Sequence, residues 1–169
     1  MLIKRKSIEA DANLKSGPGK KSSASEKSKP AAKPRKVKFA PVTLSEQFGI
    51  RYLHFGTEWV QGAMRISKPD WIELEYAQQM MAWMLFNDKP QHIVQLGLGT
   101  GSLTKFSYKW FREAQVTAVD LNPSVITICE TMFKLPANDE RLSVIEMDAL
   151  EYVNDPANLG RIDALQVDV

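Results

Sequence analysis

The stretch "IVQLGLGTGSL", Ile93 to Leu103, decides the fold class. An apolar run breaks abruptly into glycines at alternate positions, Gly97, Gly99 and Gly101. The run reads as a buried strand. The "GSLTKFSYKWF" that follows reads as a helix, with Leu103, Phe106 and Trp110 along one face. A strand that passes into a helix through glycines leaves free backbone N–H groups at the turn. Its missing Cβ atoms let a ligand approach the main chain.

The same rhythm continues toward the C-terminus. "AQVTAVD" is a second strand ending in Asp120, and "NPSVITICETMF" a helix with Asn122 as N-cap and Pro123 at its first position. Val125, Ile128 and Met132 supply its apolar face, and Pro136 is read as its stop. "LSVIEMD" is a third strand ending in Asp148, followed by the short helix "ALEYV"; "IDALQVD" is a fourth, ending in Asp168. Such alternation predicts an α/β domain, a parallel sheet with helices on both faces and a ligand at the carboxyl ends of the strands. The glycine turn, Asp120, Asp148 and Asp168 then line one crevice. An acid about 20 residues after a glycine turn suits a ribose diol, because a carboxylate accepts both hydroxyl protons. Asp120 lies 21 residues beyond Gly99. The competing reading of each Asp is a helix cap or a solvated strand end.

Upstream, "GIRYLHFGTEWVQGAMRIS" carries apolar and aromatic residues around Gly56 and reads as a small β-hairpin. "WIELEYAQQMMAWMLF" places Leu74, Ala77, Met81 and Met84/Leu85 at helical spacing, a core stripe. Residues 1–38 differ in kind, with 12 Lys/Arg against 3 Asp/Glu, whereas residues 39–169 hold 10 against 17. The first segment is poor in apolar residues and reads as a disordered basic tail. Contact with nucleic acid or another anionic surface is one use of such a tail; a solvated extension is the favoured one. The organisation is therefore a tail over 1–38, a hairpin region over 39–72 and a Rossmann-like domain over 73–169. One cysteine, Cys129, leaves no internal disulfide. With no secretory core and no run long enough to span a membrane, a cytoplasmic protein is expected.

Two cofactor classes fit a glycine turn. A dinucleotide loop wants Gly-x-Gly-x-x-Gly, and its third glycine is here Ser102. The spacing Gly-x-Gly-x-Gly is similar to the first motif of proteins that bind S-adenosylmethionine and its relatives. Many methyltransferases of that class carry an acid two residues before the first glycine, where this chain has Gln95.

From about Ile50 to Val169 the sequence resembles the spermidine synthase (polyamine aminopropyltransferase) family, including its bacterial spermidine-synthase-like branch. The resemblance rests on "RYLHFGTEWVQGAMRI", "LGLGTGSL", "VTAVDLNPSVITICETMFKLPANDERLSVIEMDALEYV" and "IDALQVD". It implies a Rossmann-like sheet of the S-adenosylmethionine-methyltransferase type, preceded by a β-hairpin. It also implies aminopropyl transfer from decarboxylated S-adenosylmethionine to a polyamine such as putrescine, with no metal. By the same resemblance, Gly97, Gly99, Thr100 and Gly101 form the cofactor turn, Asp120 holds the ribose, and Asp148 with Ala149 sits by the adenine. Asp168 falls where the family keeps the acid that deprotonates the attacking amine. Tyr76 or Gln78 fills part of a family Tyr-(His/Gln)-Glu motif, whose acid is replaced by Gln79. The family turn usually carries an Asp where this chain has Thr100. The family also continues beyond the point matching Val169, so the chain reads as C-terminally truncated, with activity weakened or lost. Homo-oligomers are a further family expectation. The alternatives are an S-adenosylmethionine-dependent methyltransferase and a non-catalytic nucleoside-binding module.

Overall fold

Two sheets organise residues 38–169, which the computed structural model describes. Residues 1–37 lie outside the described residues, and with them all but one residue of the expected tail. The first sheet is antiparallel, in the order β1 (Val42–Gln47), β2 (Ile50–Phe55), β3 (Val60–Arg65). The expected hairpin is β2 and β3, and β1 is an added strand joined to β2 through the tight turn at Phe48 and Gly49. The pattern of β1, "VTLSEQ", has too little apolar alternation to be seen in sequence, and most of it is exposed.

The second sheet is parallel and runs β6-β5-β4-β7, with β4 at His92–Leu96, β5 at Gln115–Asp120, β6 at Leu142–Glu146 and β7 at Ala164–Val167. The expected α/β fold class holds, with a three-stranded antiparallel sheet in place of the hairpin. Its connections contain α2 (Ser102–Trp110), α3 (Pro123–Met132) and α4 (Ala149–Asn154); α1 (Glu75–Met80) precedes β4. Alternate residues of β4 serve opposite faces, as strand geometry requires. Ile93 packs with Ala164, Ala114, Trp83 and Phe111; Val94 and Leu96 pack with Val119 and Tyr152 of α4. Leu53 and Met64 of the first sheet join Leu98, Ala118, Val125, Cys129 and Phe133 in one buried cluster. The antiparallel sheet is thereby built into the core of the parallel domain. Arg51 extends this tie by donating to the carbonyl of Met132 at the end of α3, where a cation meets the negative end of the helix.

Several local expectations change. The helix at 71–86 is α-helical only over Glu75–Met80 and tightens to a 3₁₀ turn at Met81–Leu85. Three residues per turn rotate Leu85 out of the stripe, so Met81 is buried and Leu85 is exposed. On α2, Leu103, Thr104 and Ser107 are buried, Leu103 packing with Ile72, Ala77 and Met81, and Trp110 at the helix end is exposed beside the Lys109 ammonium. Helix α3 stops at Met132, before Pro136: Lys134 adopts φ +58, closing the helix one turn early. Strand β6 ends at Glu146, which leaves Asp148 as the N-cap of α4.

Lys105 is the unexpected polar member of the interior. It is 4% exposed, and its ammonium donates to the carbonyl of Phe133 at 2.6 Å. Burial lowers its pKa to about 8, while burial raises that of the neighbouring Cys129 thiol to about 12. The two act with opposite sign. Between about 8 and 10.5 the unfolded chain holds the Lys105 proton more tightly than the fold does, so this group makes stability rise with pH. Cys129 makes stability fall as pH passes from 9.0 toward about 12. In a Cys129→Ala background, urea unfolding should show stability rising from pH 8 to 10, and Lys105→Met should flatten that rise.

Candidate active site

The carboxyl ends of β4, β5 and β7 meet in a cleft of about 660 Å³. The glycine turn forms its floor. Gly97, Gly99 and Gly101 all have positive φ, at +83, +54 and +66, a conformation that glycine adopts without a Cβ penalty. Gly97 is required on a second count. A Cβ there would overlap the main-chain carbonyl of Asp168, which β7 brings directly over the turn. That approach is held by Asp168 N–H donating to Leu96 O at 2.8 Å.

Asp120 is oriented by the turn it faces. One carboxylate oxygen accepts from Leu98 N–H and the other from Asn122 N–H, both at 2.8 Å. It also lines the cleft. Asn122 then caps α3 by accepting from Ser124 N–H at 3.0 Å, as its sequence position predicts. Asp148 does cap α4, with one oxygen accepting from Leu150 and Glu151 N–H at 2.8 and 3.2 Å. It also lines the cleft, beside Ala149. The cap reading and the cleft reading therefore coexist in one residue.

Asp168 stands at the end of β7 and receives a hydrogen bond from the Tyr76 hydroxyl at 3.0 Å. Burial, then the charge of Asp168 and this hydrogen bond, push the Tyr76 hydroxyl up to about 12, so the phenol stays protonated and donates. The acid and the tyrosine are 92 residues apart in sequence.

Three of the expected site residues lie elsewhere. Thr100 is 2% exposed, and its hydroxyl donates to Ala63 O at 3.3 Å. It interlocks with Gly62, where a Cβ would come within 2.5 Å of the Thr100 methyl. Its side chain joins the two sheets and is not among the cleft-lining residues. Gly101 is packed against Leu135, and Gln78 donates to Ile72 O at 2.8 Å beside a second, smaller hollow. The cleft also takes residues that sequence reasoning did not select: Leu121, Met147 and Val125 form apolar wall, and Gln61 comes from β3. Leu121 and Met147 adjoin the selected acids, a signal that was available. Gln61 had none, since only the docking of the first sheet brings it in. Among the described residues no helix is long and apolar enough to cross a membrane.

A parallel four-stranded sheet with a glycine turn after β4 and acids at or just beyond the neighbouring strand ends defines a Rossmann-like α/β domain. No family model matches the chain. Over 122 residues it is 42% identical to a polyamine aminopropyltransferase of Neisseria meningitidis, a match covering 72% of this chain and 46% of that protein. The chain is thus a relative of the polyamine aminopropyltransferases that spans about half the length of the curated relatives it matches. A probable spermidine synthase from Corynebacterium glutamicum shares the fold, with TM-score 0.62 and 18% identity over 76% of this chain and 48% of that one. Human methyltransferase-like protein 13, in complex with SAH, superposes at TM-score 0.50 with 26% identity, over 57% of this chain and 48% of that one.

Glycines outside and inside the site separate two costs. Gly49 has φ +76 with nothing within 4 Å of an added Cβ, whereas Gly97 adds the overlap with Asp168. Gly49→Ala should cost about 1 kcal/mol, the backbone term alone. Gly97→Ala should cost about 3 kcal/mol or more in urea unfolding.

Proposed function

We propose that the cleft serves aminopropyl transfer, with decarboxylated S-adenosylmethionine as co-substrate and a polyamine such as putrescine as acceptor. The observation that carries this reading is the Tyr76–Asp168 pair at the end of β7, in one cleft with the glycine turn and Asp120. The 42% identity to a polyamine aminopropyltransferase supports it. The glycine turn fits a ligand arm that must lie against the backbone, and Asp120 fits a ribose diol. Asp148 and Ala149 take the adenine end, with Leu121 and Met147 as apolar wall.

In the reaction, a neutral amine attacks the carbon next to the sulfonium. The new C–N bond forms as the C–S bond breaks, and methylthioadenosine leaves with the bonding pair. The ammonium so formed gives its proton to the Asp168 carboxylate. Tyr76 holds that carboxylate in one orientation, which lowers the cost of aligning it with the amine. A negatively charged cleft also favours a cationic acceptor.

Methyl transfer is the second reading, and Thr100 favours it. With its side chain turned toward Ala63, the turn offers no carboxylate at that position for a substrate ammonium. The solved methyltransferase neighbour, bound to SAH, is in keeping with that.

Calorimetry on the full chain with methylthioadenosine, S-adenosylmethionine and its decarboxylated form separates the two. Preference for the decarboxylated form is the expected result; preference for the carboxylated form would replace the reading with methyl transfer. Asp120→Ala should weaken nucleoside binding about tenfold or more, by loss of charged hydrogen bonds. Asp168→Asn should retain that affinity and remove methylthioadenosine release in the presence of putrescine.

A further inference from the structure

We propose that Gln95 is a positioning residue that sets the spacing of Asp120 and Asp168 across the cleft; its role in ligand binding rests on the reading above. Gln95 is 3% exposed on β4 and is not among the cleft-lining residues. Its side chain turns back along its own strand end. The amide nitrogen donates to Gly97 O at 2.6 Å and lies 3.4 Å from Leu98 O; the amide oxygen accepts from the Thr104 hydroxyl on α2. The orientation is dictated by its partners, because a flipped amide would set its oxygen against the Gly97 carbonyl.

The peptide so held carries the donor to one acid and directly follows the residue that seats the other. Leu98 N–H, on the Gly97–Leu98 peptide, donates to Asp120 at 2.8 Å. Gly97 lies beneath the Asp168 carbonyl, and Leu96 O receives the Asp168 N–H. Gln95 therefore fixes one peptide plane whose N–H aims the β5 acid, while the Cα before that plane seats the end of β7. Thr104 anchors the clamp to α2, so the turn cannot rotate without breaking a buried hydrogen bond at each end. A carboxylate in this place would serve one partner only. It accepts from Thr104 as the amide does, but it faces the Gly97 carbonyl with no proton to donate. The protonated carboxyl restores both contacts. An amide supplies donor and acceptor at every pH, a physical reason for Gln at this position.

Two measurements on the full chain test this. The first needs no ligand: in Gln95→Leu, hydrogen exchange at the Leu98 amide should accelerate about tenfold relative to amides in the middle of β5. The second uses methylthioadenosine. Gln95→Leu should weaken its binding about tenfold. Gln95→Glu should bind it as the parent chain does at about pH 5.5, where burial keeps the carboxyl protonated, and about tenfold more weakly at about pH 8. The affinity is read as a ratio to the parent at each pH, which removes titration shared by both. A part that only fills space would give a ratio flat with pH. A flat ratio, or Leu98 exchange unchanged in Gln95→Leu, overturns the proposal. If the parent chain binds no nucleoside, the aminopropyl reading fails, and Leu98 exchange in Gln95→Leu and in Gln95→Glu at the two pH values decides Gln95 alone.

Discussion

The close approach of the β7 main chain to the turn after β4 is the constraint on which the site depends. The carbonyl of Asp168 occupies the space where Gly97 would carry a Cβ, and the Asp168 N–H is bonded to Leu96. No side chain larger than hydrogen permits that contact. Because β4 and β7 are parallel neighbours, their carboxyl ends emerge together, and the acid is delivered to the turn by strand pairing. The arrangement costs no flexible loop. Its precision comes from main-chain hydrogen bonds, which hold geometry better than long side chains do.

Around this contact, buried polar groups do work that apolar packing could not. Gln95, Thr100 and Thr104 are each under 5% exposed, and each bonds to a specific partner near the turn. Leaving any of these groups unpaired in the interior would cost of order 1–3 kcal/mol. They therefore select one turn conformation from those the glycines allow. Thr100 shows the division of labour. At a position where the family resemblance leads one to look for a ligand contact, its hydroxyl instead ties the turn to β3.

Much of the parallel domain was legible in the sequence, because its central strands β4 and β5 are buried on both faces and read as apolar runs. "HIVQL" and "VTAV" are of this kind, the half-buried "LSVI" keeps the apolar pattern, and glycine, Asn-Pro or Asp marks where each ends. Asn122 and Asp148 were legible as caps for the same local reason. What escaped was set by contacts between distant segments. Strand β1 has no internal signal and exists by pairing with β2. Leu85 and Trp110 kept helical spacing yet face solvent, since the 3₁₀ turn and the end of α2 turn them from the sheet. Lys105 had nothing to mark it for burial; its partner is the carbonyl of Phe133, at the end of another helix.

The sequence alone determined the order of strands and helices, the glycine turn and the three acids at or just beyond strand ends. These follow from local chemistry: periodicity, the freedom of glycine, capping residues and the position of a carboxylate at the end of an apolar run. The tertiary structure decided which of them meet. It joined Tyr76 to Asp168 across 92 residues, brought Gln61 from the first sheet to the rim, and turned Thr100 and Gln78 away from the cleft. Direction and proximity of side chains depend on how sheets dock and helices rotate, and no spacing along the chain encodes either.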